Sequence, residues 1–476
     1  MLFNSFHFLI FFIIVTSIYF AIPYNNRWFL LLISSCYFYM AFVPIYILIL
    51  GFTIVIDYFA GIYIEKAKEK RRKLFLMFSL IANIGVLAIF KYYNFLNHNF
   101  SFIMHGVGLT NPIPYLSILL PIGLSFHTFQ AMSYTIEVYR GHQKAERHFG
   151  IYSLYVMFYP QLVSGPIERP QNLLHQFREK YDFDYERVVN GLKLMLWGLF
   201  KKLVIADRLA IYVNSAYNYP EQHNGITFVL ATIFFAFQIY CDFSGYTDIA
   251  IGAAKVMGFK LMTNFNRPYF ARNISEFWKR WHISLSTWFK DYLYISLGGN
   301  RVSVPRWYFN LFLVFLISGL WHGANWTYVI WGTLNGFYLV FAIITQKFRN
   351  RINDLTGIEK LPRLNHFLQI FITFILSCFA WIFFRANSIT DAFTIIKKIL
   401  TDRGSIFIGK PSIMIYSFLG IFILLFVELK KEFYKGEFSF FNHKNWVVRN
   451  LSYAFLIIII LLIGVFDGGQ FIYFQF

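Results

Sequence analysis

Apolar runs long enough to cross a bilayer recur from one end of the chain to the other, separated by short polar segments. Roughly 20 apolar residues suffice for one helical crossing. The first three runs lie at about residues 2–20, 28–42 and 45–64. Further runs fall at about 74–94, 116–138, 149–163, 188–212, 227–240, 249–257, 311–344, 367–384, 413–427 and 451–466. Several are too short for a straight span, so the pattern predicts about eleven transmembrane helices. The fold class is an all-α polytopic membrane protein.

Between residues 159 and 336 the runs become short and broken. Prolines, glycines and charges fall where a lipid-facing helix could not carry them. Backbone that breaks at membrane depth must be buried in protein or line a wet cavity. The chain therefore divides into N-terminal helices over residues 1–158, a core carrying the site over 159–345, C-terminal helices over 346–466 and an aromatic tail over 467–476. No low-complexity linker separates these parts. No motif repeats between the halves, which weakens a transporter built on internal repeats.

Composition fits this class and excludes others. Of 476 residues, 57% are hydrophobic and 14% charged, against roughly 25% charged in a typical soluble protein. Soluble enzymes, disordered chains and disulfide scaffolds are ruled out. The net charge of +19 reads as the excess of Lys and Arg in cytoplasmic loops rather than as a nucleic-acid surface; a basic face for an anionic substrate or carrier is the other reading. The cluster Glu65-Lys-Ala-Lys-Glu-Lys-Arg-Arg-Lys73 follows three runs, which puts the N-terminus outside. Lys430, Lys431, Lys435, Lys444 and Arg449 precede the last run, which puts the C-terminal tail outside too. Residues 1–24 carry no Lys or Arg and so lack the charged start of a signal peptide. Cys36, Cys241 and Cys378 lie singly in apolar runs, with no disulfide or metal spacing.

Candidate chemistry concentrates in five places. His322 is the one ionisable residue in the run 311–344, with Gly319 and Gly323, Trp321, Asn325 and Trp326 around it. An ionisable group at that depth is a functional hypothesis by default, against the alternative of a buried neutral histidine satisfied by a carbonyl. A neutral imidazole in a low-dielectric site suits general-base work on a hydroxyl. The segment from Glu276 to Tyr294 reads as an amphipathic helix near the cytoplasmic surface, with Trp281, Leu285 and Trp288 on one face and Lys279, Arg280, Lys290 and Asp291 off it. It is either an interfacial anchor or a gate whose basic residues meet an anionic donor while His282 faces the cavity. Asp242 and Asp248 sit between apolar runs; Asp242 or Ser244 caps the helix that follows, or Asp242 lines the site. Val163-Ser-Gly-Pro-Ile-Glu-Arg-Pro170 is a rigid turn. The ending Phe471-Ile-Tyr-Phe-Gln-Phe476 is unusually aromatic; it forms an interfacial belt, or Tyr473 inserts into the site and carries a group on its phenol. No serine or cysteine nucleophile motif has a supporting context, so direct transfer assisted by histidine, or relay through Tyr473, is the natural chemistry.

These residues resemble the membrane-bound O-acyltransferases, in the branch of bacterial polysaccharide O-acetylases. The resemblance runs through Phe126-His-Thr-Phe-Gln130, Ser164-Gly-Pro-Ile-Glu-Arg-Pro170, Trp197-Gly-Leu-Phe-Lys-Lys202 with Ile205-Ala-Asp-Arg208, Tyr240 to Asp248, Phe265-Asn-Arg-Pro-Tyr269, Phe277 to Ser286, Leu297-Gly-Gly-Asn-Arg301 and Gly319-Leu-Trp-His-Gly-Ala324. It implies a bundle around a central tunnel with re-entrant and interfacial helices. By resemblance, His322 matches the family's essential histidine, His282 its second, and Tyr473 a proposed acyl carrier. Two positions depart from the pattern: Val302 stands where another glycine is expected, and Asn335 where many relatives have histidine.

The resemblance implies an O-acetyltransferase of the bacterial cytoplasmic membrane. It would take acetyl-coenzyme A or an acyl-carrier thioester from the cytoplasm, with no permanently bound cofactor and no metal. Lys279, Arg280 and Trp281 are candidates for donor contact, and Trp321, Asn325 and Asp242 for the substrate passage. Implied partners are an acyl carrier protein, a secreted or periplasmic transferase of the esterase type and a polysaccharide acceptor. The alternatives are D-alanyl transfer to teichoic acid from a carrier protein, and a transporter.

Overall fold

The computed structural model describes residues 1–117, 120–163, 165–434 and 443–466. Among these residues every regular element is helical. Eight helices are long and apolar enough to cross a membrane: Pro44–Lys66, Glu69–Gly106, Gly225–Met257, Val304–His322, Trp326–Ile344, Pro362–Arg385, Pro411–Phe433 and Trp446–Ile463. Phe6–Ala21 is a shorter apolar helix, opened by the Ser5 hydroxyl, which accepts from the Phe8 amide at 3.1 Å. Helical closure follows from the medium, since lipid offers no partner to an unpaired backbone N–H or carbonyl.

The apolar pattern overestimates the straight spans for identifiable reasons. Residues 188–212 form a helix, a π-helical stretch Phe200–Ala206 and a further helix Asp207–Tyr217. Residues 149–163 break into two short helices at Phe158 and Tyr159. Two runs expected as separate, 227–240 and 249–257, are instead one continuous 33-residue helix, Gly225–Met257.

The chain forms two compact units that interleave in sequence, which is why no linker marks them. One comprises Met1–Met195 and Tyr246–Met262; the other comprises Leu196–Gly245 and the described residues from Thr263 onward. In the first, Asp57 is wholly buried and accepts from the Ser79 hydroxyl at 2.6 Å and from the Asn83 amide at 2.8 and 3.0 Å. A carboxyl in that setting persists only because its oxygens are satisfied. Gly165 and Pro166 lead to Glu168, which accepts from the Met262 amide, while the Tyr155 hydroxyl donates to the Glu168 carbonyl at 3.0 Å. Burial pushes the Glu168 carboxyl up to about 7. These contacts give the turn a structural task.

The second unit is built on an aromatic core. Trp331 and Trp381 stack at 5.8 Å, Trp281 meets Trp381 at 5.1 Å, and Trp278 meets Trp331 at 5.7 Å. Lipid tails are as apolar as these rings, so packing and dispersion rather than water exclusion hold such helices together. Close approach is provided by glycine. Gly319 of Val304–His322 and Gly332 of Trp326–Ile344 face each other so tightly that a Cβ on Gly319 would lie 2.3 Å from the Tyr328 carbonyl oxygen and 3.1 Å from the Gly332 Cα.

Candidate active site

His322 is the last residue of the helix Val304–His322, and Gly323, in extended conformation, ends it. Asn325 opens the next helix, its side chain accepting from the Thr327 amide at 3.0 Å. The run 311–344 is thus two helices broken at the histidine. A Cβ on Gly323 would meet the Tyr328 ring at 2.1 Å, so the break is tightly closed. The His322 imidazole is buried, 4% exposed. It lies edge-on to Trp331 at 4.9 Å, to Trp321 at 5.0 Å and to Phe384 at 5.5 Å.

His282 approaches the same aromatic group. Its ring is wholly buried, 4.6 Å from Phe243, 6.3 Å from Phe265 and 6.4 Å from Trp321. Trp321 is therefore neighbour to both imidazoles. Burial pushes the His282 imidazole down to about 3, so this ring is neutral at physiological pH.

The expected amphipathic helix from Glu276 to Tyr294 does not form as one element. Ile274–Arg280 and Ile283–Trp288 are separate helices, followed by the π-helical Phe289–Tyr294. The break is His282 itself, in the left-handed region with φ 43°. Nor is the Trp281, Leu285, Trp288 stripe an exposed anchor, since all three are buried. The periodicity was that of a core face. Trp281 packs inside the tryptophan cluster, Lys279 is exposed, and Arg280 is held by Glu276 at 2.7 Å and Glu432 at 2.9 Å. Burial opposes ionisation of Glu276, yet hydrogen bonds from Arg272 and Arg280 hold its carboxyl below the usual range.

Asp242 and Ser244 do not cap a helix, because Gly225–Met257 runs through them. Asp242 is instead ion-paired with Lys202 at 2.8 Å, and Lys202 also reaches Asp207 at 2.8 Å. All three are at least nine-tenths buried. Lys201 donates to the Ser244 hydroxyl at 2.9 Å, and the Tyr240 hydroxyl to Glu428 at 2.5 Å. Lys201 and Lys202 sit on the π-helical stretch, an irregularity frequent at functional sites. The Cβ of any residue at 245 would lie 2.8 Å from the Gly198 carbonyl oxygen, so glycine there lets the lysine stretch approach the Asp242 helix. Sequence reading quoted this lysine pair only as part of a matching block and gave it no role, and it missed Glu432; an intramembrane Lys-Lys with two aspartates nearby was the available signal. Asn335, the departure noted above, is buried and donates to the Trp331 carbonyl at 2.8 Å. Of the cysteines, Cys241 and Cys378 are buried and Cys36 is half-buried. Tyr473, the expected acyl carrier, lies outside the described residues.

The membrane-bound O-acyltransferase family model matches residues 123–385, which include both histidines. The chain belongs to that family. It is 38% identical over 395 residues to the probable alginate O-acetylase AlgI of Pseudomonas aeruginosa, covering 82% of this chain and 73% of that protein. It is 36% identical over 405 residues to the peptidoglycan O-acetyltransferase of Helicobacter pylori, covering 79% and 74%. A more distant similarity, 27% over 325 residues, is to the teichoic acid D-alanyltransferase of Bacillus subtilis, covering 65% and 77%. This family member is a multi-pass membrane protein and an acyltransferase, which removes the transporter reading.

Proposed function

We propose that this protein transfers an acetyl group from a cytoplasmic thioester, acetyl-coenzyme A or an acyl-carrier conjugate, across the bacterial cytoplasmic membrane for O-acetylation of an extracytoplasmic polysaccharide. The observation that carries the reading is His322: a buried imidazole at a helix break, in a chain whose most similar relatives named above are O-acetyl transferring. In this reading His322 takes the proton of an attacking hydroxyl. The new bond forms between that oxygen and the acetyl carbonyl carbon, the carbon–sulfur bond breaks, and the thiolate leaves with the proton. Burial suits the task, because a base in a water-poor site is not bypassed by hydrolysis of the thioester. His282, neutral and also a neighbour of Trp321, serves as a second polar group in the same site.

The hydroxyl belongs either to the final acceptor or to Tyr473, which then relays the group to a secreted or periplasmic transferase of the esterase type. In this reading the N-terminus and the tail lie on the outer side, which the positions of the basic clusters support. The test uses purified full-length protein in detergent with acetyl-coenzyme A, following thiol release. His322→Ala should abolish turnover, and wild-type-like turnover in that variant removes the assignment. D-alanyl transfer is separated by the donor: turnover of a D-alanyl carrier thioester but not of acetyl-coenzyme A would replace acetate in the proposal. An acetyl adduct on Tyr473 in trapped protein supports the relay, and its absence in active protein refutes it.

A further inference from the structure

The loop that carries His282 is tied shut by a carboxylate from a distant helix. Among the described residues three non-glycine positions have positive φ, and two of them, Arg267 at 47° and His282 at 43°, bracket the short helix Ile274–Arg280. Side-chain-bearing residues occupy that region only where the surroundings impose it. Within the loop, the Asn266 amide donates to the Arg280 carbonyl at 2.9 Å and the Ile283 amide to the Asn264 carbonyl at 2.9 Å. The Asn264 side-chain oxygen accepts from the Ser284 amide at 3.2 Å and hydroxyl at 3.0 Å.

The remaining tie comes from Glu432, one residue before the end of Pro411–Phe433. One of its carboxylate oxygens accepts from Arg267 Nε at 2.6 Å, and the other from an Arg280 terminal nitrogen at 2.9 Å. A single carboxylate thus joins one left-handed residue to a position two before the other. The Glu432, Arg280 and Arg267 side chains are only 14%, 18% and 28% exposed. Such partly desolvated charge pairs hold geometry better than surface ones.

We propose that Glu432 is a positioning residue for the acyl transfer described above: by bridging Arg267 and Arg280 it holds the His282 imidazole against Phe243 and Trp321. It acts through His282 and does not touch the reacting atoms. The same bridge commits the Arg280 guanidinium to protein carboxylates rather than to an anionic donor. This inference rests on the two-histidine reading of the site.

The experiment compares wild type, Glu432→Gln and Glu432→Asp as full-length protein in detergent, with acetyl-coenzyme A as the probe. Glu432→Gln should lower kcat roughly ten- to hundredfold, as expected for a misplaced catalytic group, with the donor KM and the thermal unfolding midpoint close to wild type. Glu432→Asp, which keeps the charge, should recover most of the loss. A lower donor KM with unchanged kcat would overturn the proposal, showing that the carboxylate competes with the donor for the two arginines. So would wild-type kinetics, or a matched loss of kcat and midpoint that aspartate does not rescue. Should Glu432→Gln fail to fold, Arg267→Lys tests the same bridge by the same kcat-against-KM split. His322→Ala is run alongside. Its retained activity would sink the functional reading, whereas a normal Glu432→Gln beside an inactive His322→Ala sinks this inference alone.

Discussion

Adding one methyl group at Gly319 should disturb the site without touching a histidine. The Cβ of Gly319→Ala would stand 2.3 Å from the Tyr328 carbonyl oxygen, where ordinary contact begins at 3.4 Å, so the two helices must open by about 1 Å. Backbone on both sides leaves no flexible side-chain tip to give way. Overpacking of this kind costs about 1–3 kcal/mol, and the gain from alanine in a helix returns at most about 1. The net loss should be about 1–2 kcal/mol. The effect on activity should be larger, because Gly319 lies one turn before His322 and a misplacement near 1 Å can lower a rate on the order of a hundredfold. Thermal unfolding followed by tryptophan fluorescence at one fixed scan rate gives the first quantity, and thiol release from acetyl-coenzyme A gives the second. Gly85→Ala is the control, since a Cβ there meets nothing within 4 Å. If Gly319→Ala matches Gly85→Ala in both measurements, the close crossing does not set the position of His322.

Lys202→Met should be severely destabilising, by about 3–5 kcal/mol, because it leaves Asp207 and Asp242 buried without their cation. The triple change Lys202→Met, Asp207→Asn, Asp242→Asn should unfold at a higher temperature than the single one; the reverse order would show that the charges are not coupled. Acid should weaken the fold through His282, whose imidazole moves from 6.5 to about 3 on burial. Its contribution is complete above the unfolded value and is lost as pH falls from there toward the folded one, at roughly 1 kcal/mol per pH unit. Unfolding midpoints at about pH 8 and about pH 5 should therefore differ more for wild type than for His282→Gln, and equal differences would refute the assignment.

Much of the site was legible from local pattern. His322 stands out because a bilayer tolerates few ionisable groups, so one in an apolar run is conspicuous without any neighbour being known. The flanking glycines announced both the break and the close packing that Gly323 and Gly319 provide. The segment around His282 was legible in composition but not in shape. Its tryptophan periodicity fits one helix, and nothing local requires a left-handed residue in the middle. That conformation is imposed by Asn264 and by the arginines that Glu432 holds, and Glu432 is 152 residues from Arg280. Asp242 misled for a related reason. An isolated aspartate between apolar runs looks like a helix start, yet with Lys202 opposite it the helix continues through the charge.

Hydropathy, basic clusters and the scarcity of charge are enough to specify a multi-pass helical protein with a polar interior, because a bilayer accepts only backbone that satisfies its own hydrogen bonds. Which charges neutralise each other, where a helix breaks rather than bends, and how near two helices approach depend on groups far apart in the chain. Close contacts fall off within a few ångströms and pairing energies weaken with separation, so both become decisive only when folding brings those groups together.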